Sequence, residues 1–164
     1  MRLRPIQDDD TENIVQWRNS QAVQSQFIFR DILTAEMHMN WLYSKVYTGS
    51  VIQYIIEIGM ESFIPVGSIY IRDIDTQNES GELGIFIGEA DYRSKGYGTL
   101  AIKTFVPYCF SLGIHRIFLR VLSSNYAAQS SYIKSGFTKE GEAKDMLYIN
   151  GKRLNVTFMS IINN

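Results

Sequence analysis

Residues 79–98 read ESGELGIFIGEADYRSKGYG, and the change of pattern inside this stretch decides the fold. Glu79 to Ile87 is rich in β-branched and aromatic residues, as a strand is. The glycines at 96 and 98 then precede a helical run, Thr99 to Leu112. Two strands of the same kind come earlier, Val51 to Ile58 and Val66 to Ile74, separated by turn residues, so the three predict an antiparallel meander. Beyond the loop, a strand Arg116 to Leu122 and a helix Asn125 to Lys134, stopped by Gly136, complete a β-α-β-α segment.

Working outward, residues 2–6 read as a short strand. Asp9, three residues before Glu12, gives a capping-box start to a helix bearing Ile14, Val15 and Trp17. Thr34 caps a second helix whose residues Ala35, Met39, Leu42 and Val46 share a face. The chain closes with two strands joined at Asn150-Gly151, a pair suited to a type I′ turn. With 164 residues and neither repeat nor linker, the expectation is one mixed α/β domain over 1–164.

A formal net charge of -1 gives no general attraction to nucleic acid or anionic membrane. No apolar run is long enough for a span, and the acidic Asp8-Asp9-Asp10 leaves no signal-peptide core, so a cytoplasmic protein is expected. The single Cys109 reads as a buried, inert thiol, and His38 and His115 lie far apart, so no metal site is expected.

The loop Arg93-Ser94-Lys95-Gly96-Tyr97-Gly98 lies between a strand and a helix, where free amides and the helix dipole favour an anion. Its bare pattern arises by chance in roughly one chain of this length in six, so its surroundings must support it. Gly96 to Ala101 also fits the dinucleotide Gly-x-Gly-x-x-Gly/Ala fingerprint. Against that reading, residues 89–95 separate it from its strand and no acidic residue ends the strand Phe118 to Leu122. Asn125, Ala128 and Tyr132 share one face of the following helix, and the small Ala128 leaves a groove between two polar groups. A tyrosine at such spacing also serves as a core residue, and Glu82 as a solvated strand carboxylate.

Taken together, the run from Glu82 through Arg93 to Gly98 and on to Asn125, Ala128, Tyr132 and Gly136-Phe137 resembles the GNAT superfamily of acyl-CoA-dependent N-acetyltransferases. The resemblance implies a central, mostly antiparallel twisted sheet of about seven strands flanked by about four helices. It implies acetyl-CoA as co-substrate. The loop from Arg93 to Gly98 would bind the pyrophosphate, backbone groups at Ile85, Phe86 and Ile87 the pantetheine arm, and Asn125 and Ala128 the coenzyme. Tyr132 would protonate the departing thiolate, and Glu82, fourteen residues before Gly96, is the candidate general base for direct attack through a tetrahedral intermediate.

For the acceptor, Trp17, Arg18, Asn19, Phe29 and Trp41 offer aromatic faces beside hydrogen-bonding groups, although the tryptophans also suit helix packing. The Trp17-Arg18-Asn19 opening is similar to that of enzymes acting on nucleotide-linked amino sugars. The tail, Glu140 to Asp145 with Tyr148 to Lys152, resembles the subgroup holding ribosomal-protein and spermidine acetyltransferases, with Asn155 where an acidic residue is frequent. The expected partner is therefore a small-molecule amine, an amino sugar first, with a protein N-terminus and a polyamine as alternatives. A non-catalytic acyl-CoA-binding regulator is the alternative of another class. The final hairpin presents an edge on which a homodimer could form.

Overall fold

A computed structural model describes residues 1–163; the expected domain runs to residue 164, which lies outside the described residues. Alternation within the strands sends neighbouring side chains to opposite faces, and Ile55 and Ile56 illustrate it: both are fully buried, yet they join different cores. Both faces of the sheet must therefore be covered, and helices cover them.

The sheet has seven strands among the described residues. β1 (Arg2–Pro5), β2 (Ile52–Gly59), β3 (Phe63–Asp75) and β4 (Ser80–Ile87) pair antiparallel in succession. β5 (Arg116–Leu122) lies parallel to β4, and β7 (Lys152–Ile162) pairs antiparallel with both β5 and β6 (Thr138–Ile149). The order is β1-β2-β3-β4-β5-β7-β6. On one face lie α1 (Thr11–Asn19), α2 (Gln21–Gln24) and α3 (Ala35–Trp41), with Ile14, Trp17, Val23 and Leu42 packed toward Ile55 and Phe86. The other face carries α4 (Tyr97–Ser111) and α5 (Tyr126–Lys134), whose Ile102, Phe105 and Tyr132 join Ile69, Ile71, Ile117 and Leu119. Each fully buried aliphatic or aromatic side chain stabilises the fold by about 1.5–3 kcal/mol.

Local signals hold closely. The Thr34 hydroxyl accepts from the Met37 amide at 3.2 Å, and the hairpin residues Asn150 and Gly151 both take positive φ. Cys109 is buried, which pushes its thiol up to about 12 and leaves it unreactive. Three details differ from the sequence expectation. The capping box forms on Gln7 and Asp10 rather than Asp9 and Glu12, because two ion-paired hydrogen bonds from Arg4, at 2.8 and 2.9 Å, fix Asp10 where it accepts from the Gln7 amide. The one-turn α2 adds a fifth α-helix among the described residues. The helix after the glycine loop begins at Tyr97, since Gly96 with φ +85° is its cap. No helix among the described residues is long and apolar enough to cross a membrane.

Candidate active site

The parallel strands β4 and β5 pair only at Ser80 with Arg116, Gly81 with Ile117 and Glu82 with Phe118. Beyond Glu82 they part, leaving backbone of β4 without a neighbour on that side. A cleft of about 790 Å³ opens there, lined by Ile85, Phe86, Ile87, Arg93, Ser94, Gly96, Gly98, Asn125, Ala128 and Tyr132 among others. The amides of Ser94 through Thr99 donate to no acceptor among the described residues, and the N-terminus of α4 adds its dipole. At Gly98 an added Cβ would come within 3.8 Å of the Ser131 hydroxyl, and at Gly96 it would meet nothing, so a phosphate can come close to this backbone. A pyrophosphate and an extended pantetheine arm fit these donors and this gap.

Not every loop residue faces the cleft. Lys95 lies over the Tyr92 ring, and neither Lys95 nor Tyr97 is part of the lining. Arg93 lines the cleft, but its guanidinium donates to the carbonyls of Ile87, at 3.0 Å, and Gly88. It ties the loop to the end of β4, where the carbonyl of Ile87 is therefore already engaged. Asn125 caps α5, its side-chain oxygen accepting from the Ala128 amide at 3.1 Å, which leaves its amide nitrogen free to meet a ligand.

Tyr132 is 8% exposed, with its ring beside Phe137, and its hydroxyl has no hydrogen-bond partner among the described residues. Burial, and then the nearby Tyr70, raise the phenol above its ordinary range, so it is protonated at neutral pH as a proton donor must be. Tyr70 lies over Gly84, where any Cβ would collide with its ring.

Glu82 lies in a smaller adjoining cavity of about 230 Å³, together with Arg18, Phe27, Phe29, Tyr70 and Arg72. Arg72 donates to it at 3.0 and 3.2 Å and Arg120 at 2.8 and 3.0 Å. Burial alone would raise this carboxyl, but hydrogen bonds and charge from Arg120 and Arg72 outweigh it and hold the group below the usual carboxylate range. A carboxylate with four N–H groups upon it is a weak base. The geometry makes Glu82 the anchor of two arginines.

Of the expected acceptor residues, Arg18 and Phe29 line this cavity, whereas Trp17, Asn19 and Trp41 do not. Trp17 packs against Phe86 and Gly88 and donates to Glu89 at 2.7 Å; Trp41 donates to Gln53 at 2.9 Å. Asn19 pairs twice with the backbone of Leu33, at 2.8 and 2.9 Å, and so fixes the segment that carries Phe29. Buried polar tips on scaffolding residues need such partners. Tyr70, Arg72 and Arg120 are the residues that sequence reasoning missed as site members. Period-two alternation places Tyr70 with Arg72, and Phe118 with Arg120, on shared faces of their strands, which is the signal that could have found them.

Residues 1–138 match the sequence profile described as Acetyltransferase (GNAT) domain. The spermidine N(1)-acetyltransferase of Escherichia coli is 28% identical over 163 residues, covering 98% of this chain and 85% of that protein. The putative ribosomal N-acetyltransferase YdaF of Bacillus subtilis is 28% identical over 58% of this chain and 52% of its own. Among solved structures, spermidine N-acetyltransferase from Vibrio cholerae in complex with CoA and spermine superposes with a TM-score of 0.89 at 22% identity, covering 98% of this chain and 94% of that one. The chain belongs to the GNAT acetyltransferase family and is an acetyl-CoA-dependent N-acetyltransferase.

Proposed function

We propose that the chain moves the acetyl group of acetyl-CoA onto the primary amine of a small molecule by direct attack through a tetrahedral intermediate. The observation that carries this reading is the parting of β4 from β5 beside Tyr132, with the unpaired amides of Ser94 to Thr99 at its far end. Those amides hold the pyrophosphate, and the backbone of β4 from Ile85 to Ile87 aligns the thioester arm. The amine attacks the thioester carbonyl, the carbon–sulfur bond breaks as Tyr132 gives its proton to the sulfur, and the proton then shed by the nitrogen restores the Tyr132 phenol through water.

An alkylamine must first lose a proton. The site carries more guanidinium charge than Glu82 neutralises, and that excess favours the neutral form of an amine brought to the thioester, so its proton is released to water. Glu82 serves by holding Arg72 and Arg120 in place.

Two acceptor classes compete. The names of the spermidine N-acetyltransferases support a polyamine, which the sequence ranked behind an amino sugar and a protein N-terminus. The arginines of the acceptor cavity support an amine linked to an anion, as in a nucleotide-linked amino sugar. The test is release of free CoA from acetyl-CoA against a panel of spermidine, amino sugars, amino acids and N-terminal peptides, with mass analysis of the products. Acetylated amine from at least one class is expected; acetyl-CoA consumed only by hydrolysis, across every class, would contradict the proposal.

A further inference from the structure

The acceptor cavity holds more positive charge than its own carboxylates neutralise. Arg72 and Arg120 share one buried partner, Glu82, and Arg72 also approaches Asp73 at 3.6 Å, a side chain 70% exposed and therefore well screened. Arg18 has no carboxylate at all: it forms no salt bridge and no hydrogen bond among the described residues. Its guanidinium stacks on Phe27 at 3.9 Å, and its Nε is shielded from solvent with no partner. A half-buried guanidinium without a protein partner is costly to the free protein, and an oxyanion accepting from its accessible terminal N–H groups offsets that cost.

The surroundings point the same way. Burial disfavours the charge on Arg18 and outweighs the smaller opposing effect of Tyr70, and Arg72 adds repulsion. Glu82 is the one carboxylate lining the cavity among the described residues, and both its oxygens are engaged. Phe27 borders this cavity and the cleft alike, while Tyr70 lines the cavity and covers Gly84, which lines the cleft. A ligand anchored by its anion near Arg18 and Arg72 therefore extends past Tyr70 toward Tyr132. A polycation would instead bring like charge to an unpaired arginine.

Resting on the transferase reading above, we propose that the acceptor is a primary amine carrying an oxyanion, a carboxylate or a phosphate, which Arg18 and Arg72 bind. Paired acceptors that differ in the anion alone provide the test, with the full chain and saturating acetyl-CoA: glucosamine 6-phosphate against glucosamine, phenylalanine against phenylethylamine, and spermidine beside them. In at least one pair the anionic member is expected to have the higher kcat/KM by about 100-fold, and which pair responds separates phosphate from carboxylate. Arg18→Gln is expected to shrink that ratio to below roughly 5-fold and Arg18→Lys to reduce it only in part, since an ammonium keeps the charge without the planar fork. Spermidine or the neutral members used best, or a ratio unaltered by Arg18→Gln, overturns the proposal.

Calorimetric titration of glucosamine 6-phosphate and phenylalanine into the CoA-bound protein reads the anion site without turnover. Binding that Arg18→Gln weakens at least about tenfold is the result expected, and no binding of either probe overturns the proposal. Turnover of neutral amines alone would leave the transferase function standing while removing the anion site. Binding of the anionic probes without acetylation of any amine would do the reverse.

Discussion

Glu82 shows how far neighbours redefine a side chain. In the sequence it is a strand carboxylate at the right distance from Gly96; in the fold it lies between two arginines that arrive from β3 and β5. Removing its charge strands both guanidinium groups, so Glu82→Gln is expected to lower stability by about 3 kcal/mol at neutral pH, read by urea denaturation. A loss below about 0.5 kcal/mol would show that solvent already screens the cluster. Because its folded pKa lies below the ordinary 4.5, this stabilisation is complete above that value and disappears as pH falls through the folded pKa. An acidic limb of kcat/KM near neutrality must then come from the acceptor amine. It should move when acceptors of different pKa are compared, and an unmoved limb would contradict the role given to Glu82 here. Alternation places Arg72 and Arg120 on particular faces of their strands, but only the β3–β4 register and the β4–β5 pairing bring them to Glu82, which no local pattern states.

At the level of elements, whatever depended on a few neighbouring residues could be read directly. Thr34 caps α3, Asn125 caps α5, and Asn150-Gly151 turns the final hairpin, because each feature is satisfied within about four residues of chain. The glycine loop belongs with them: its left-handed residues Ser94 and Gly96 let the chain turn into α4 while the loop amides stay free. Gly96→Ala is therefore expected to cost about 1 kcal/mol of stability and to weaken CoA binding roughly tenfold by shifting those amides. Calorimetric titration with CoA measures the second effect, and an unchanged Kd would separate the loop conformation from binding. The tryptophans were harder to place, because an aromatic residue beside polar ones suits a ligand pocket or a helix interface equally, and tertiary packing alone assigned Trp17 and Trp41 to the interface.

Across the whole molecule, two helical layers cover a sheet that is complete except where β4 and β5 part. The α1–α3 layer contains a built-in acid weakness. His38 on α3 is 3% exposed, its Nδ1 lies 2.9 Å from the Thr11 hydroxyl, and its Nε2 has no partner among the described residues. Burial pushes its pKa down to about 4, against 6.5 for a free imidazole, with Asp10, Arg18 and Asp8 contributing smaller effects. The unfolded chain binds the additional proton between those values, so stability should fall as pH drops from 6.5 toward 4. Thermal denaturation across that range should give a shallower slope for His38→Gln than for the native chain; equal slopes would show that other groups dominate. The antiparallel meander followed from periodicity, whereas the order of the seven strands and the cleft required knowing which strands pair and where pairing stops, which no local pattern states.

Tyr132 lines the cleft and carries the proposed proton transfer to sulfur. The most direct measurement compares kcat and acetyl-CoA affinity for Tyr132→Phe and the native chain, with the best acceptor from the amine panel. A proton donor to the leaving thiolate predicts a fall in kcat of at least about 100-fold with the Kd for acetyl-CoA held within about threefold. Full turnover in Tyr132→Phe would contradict that role and require another group to protonate the sulfur.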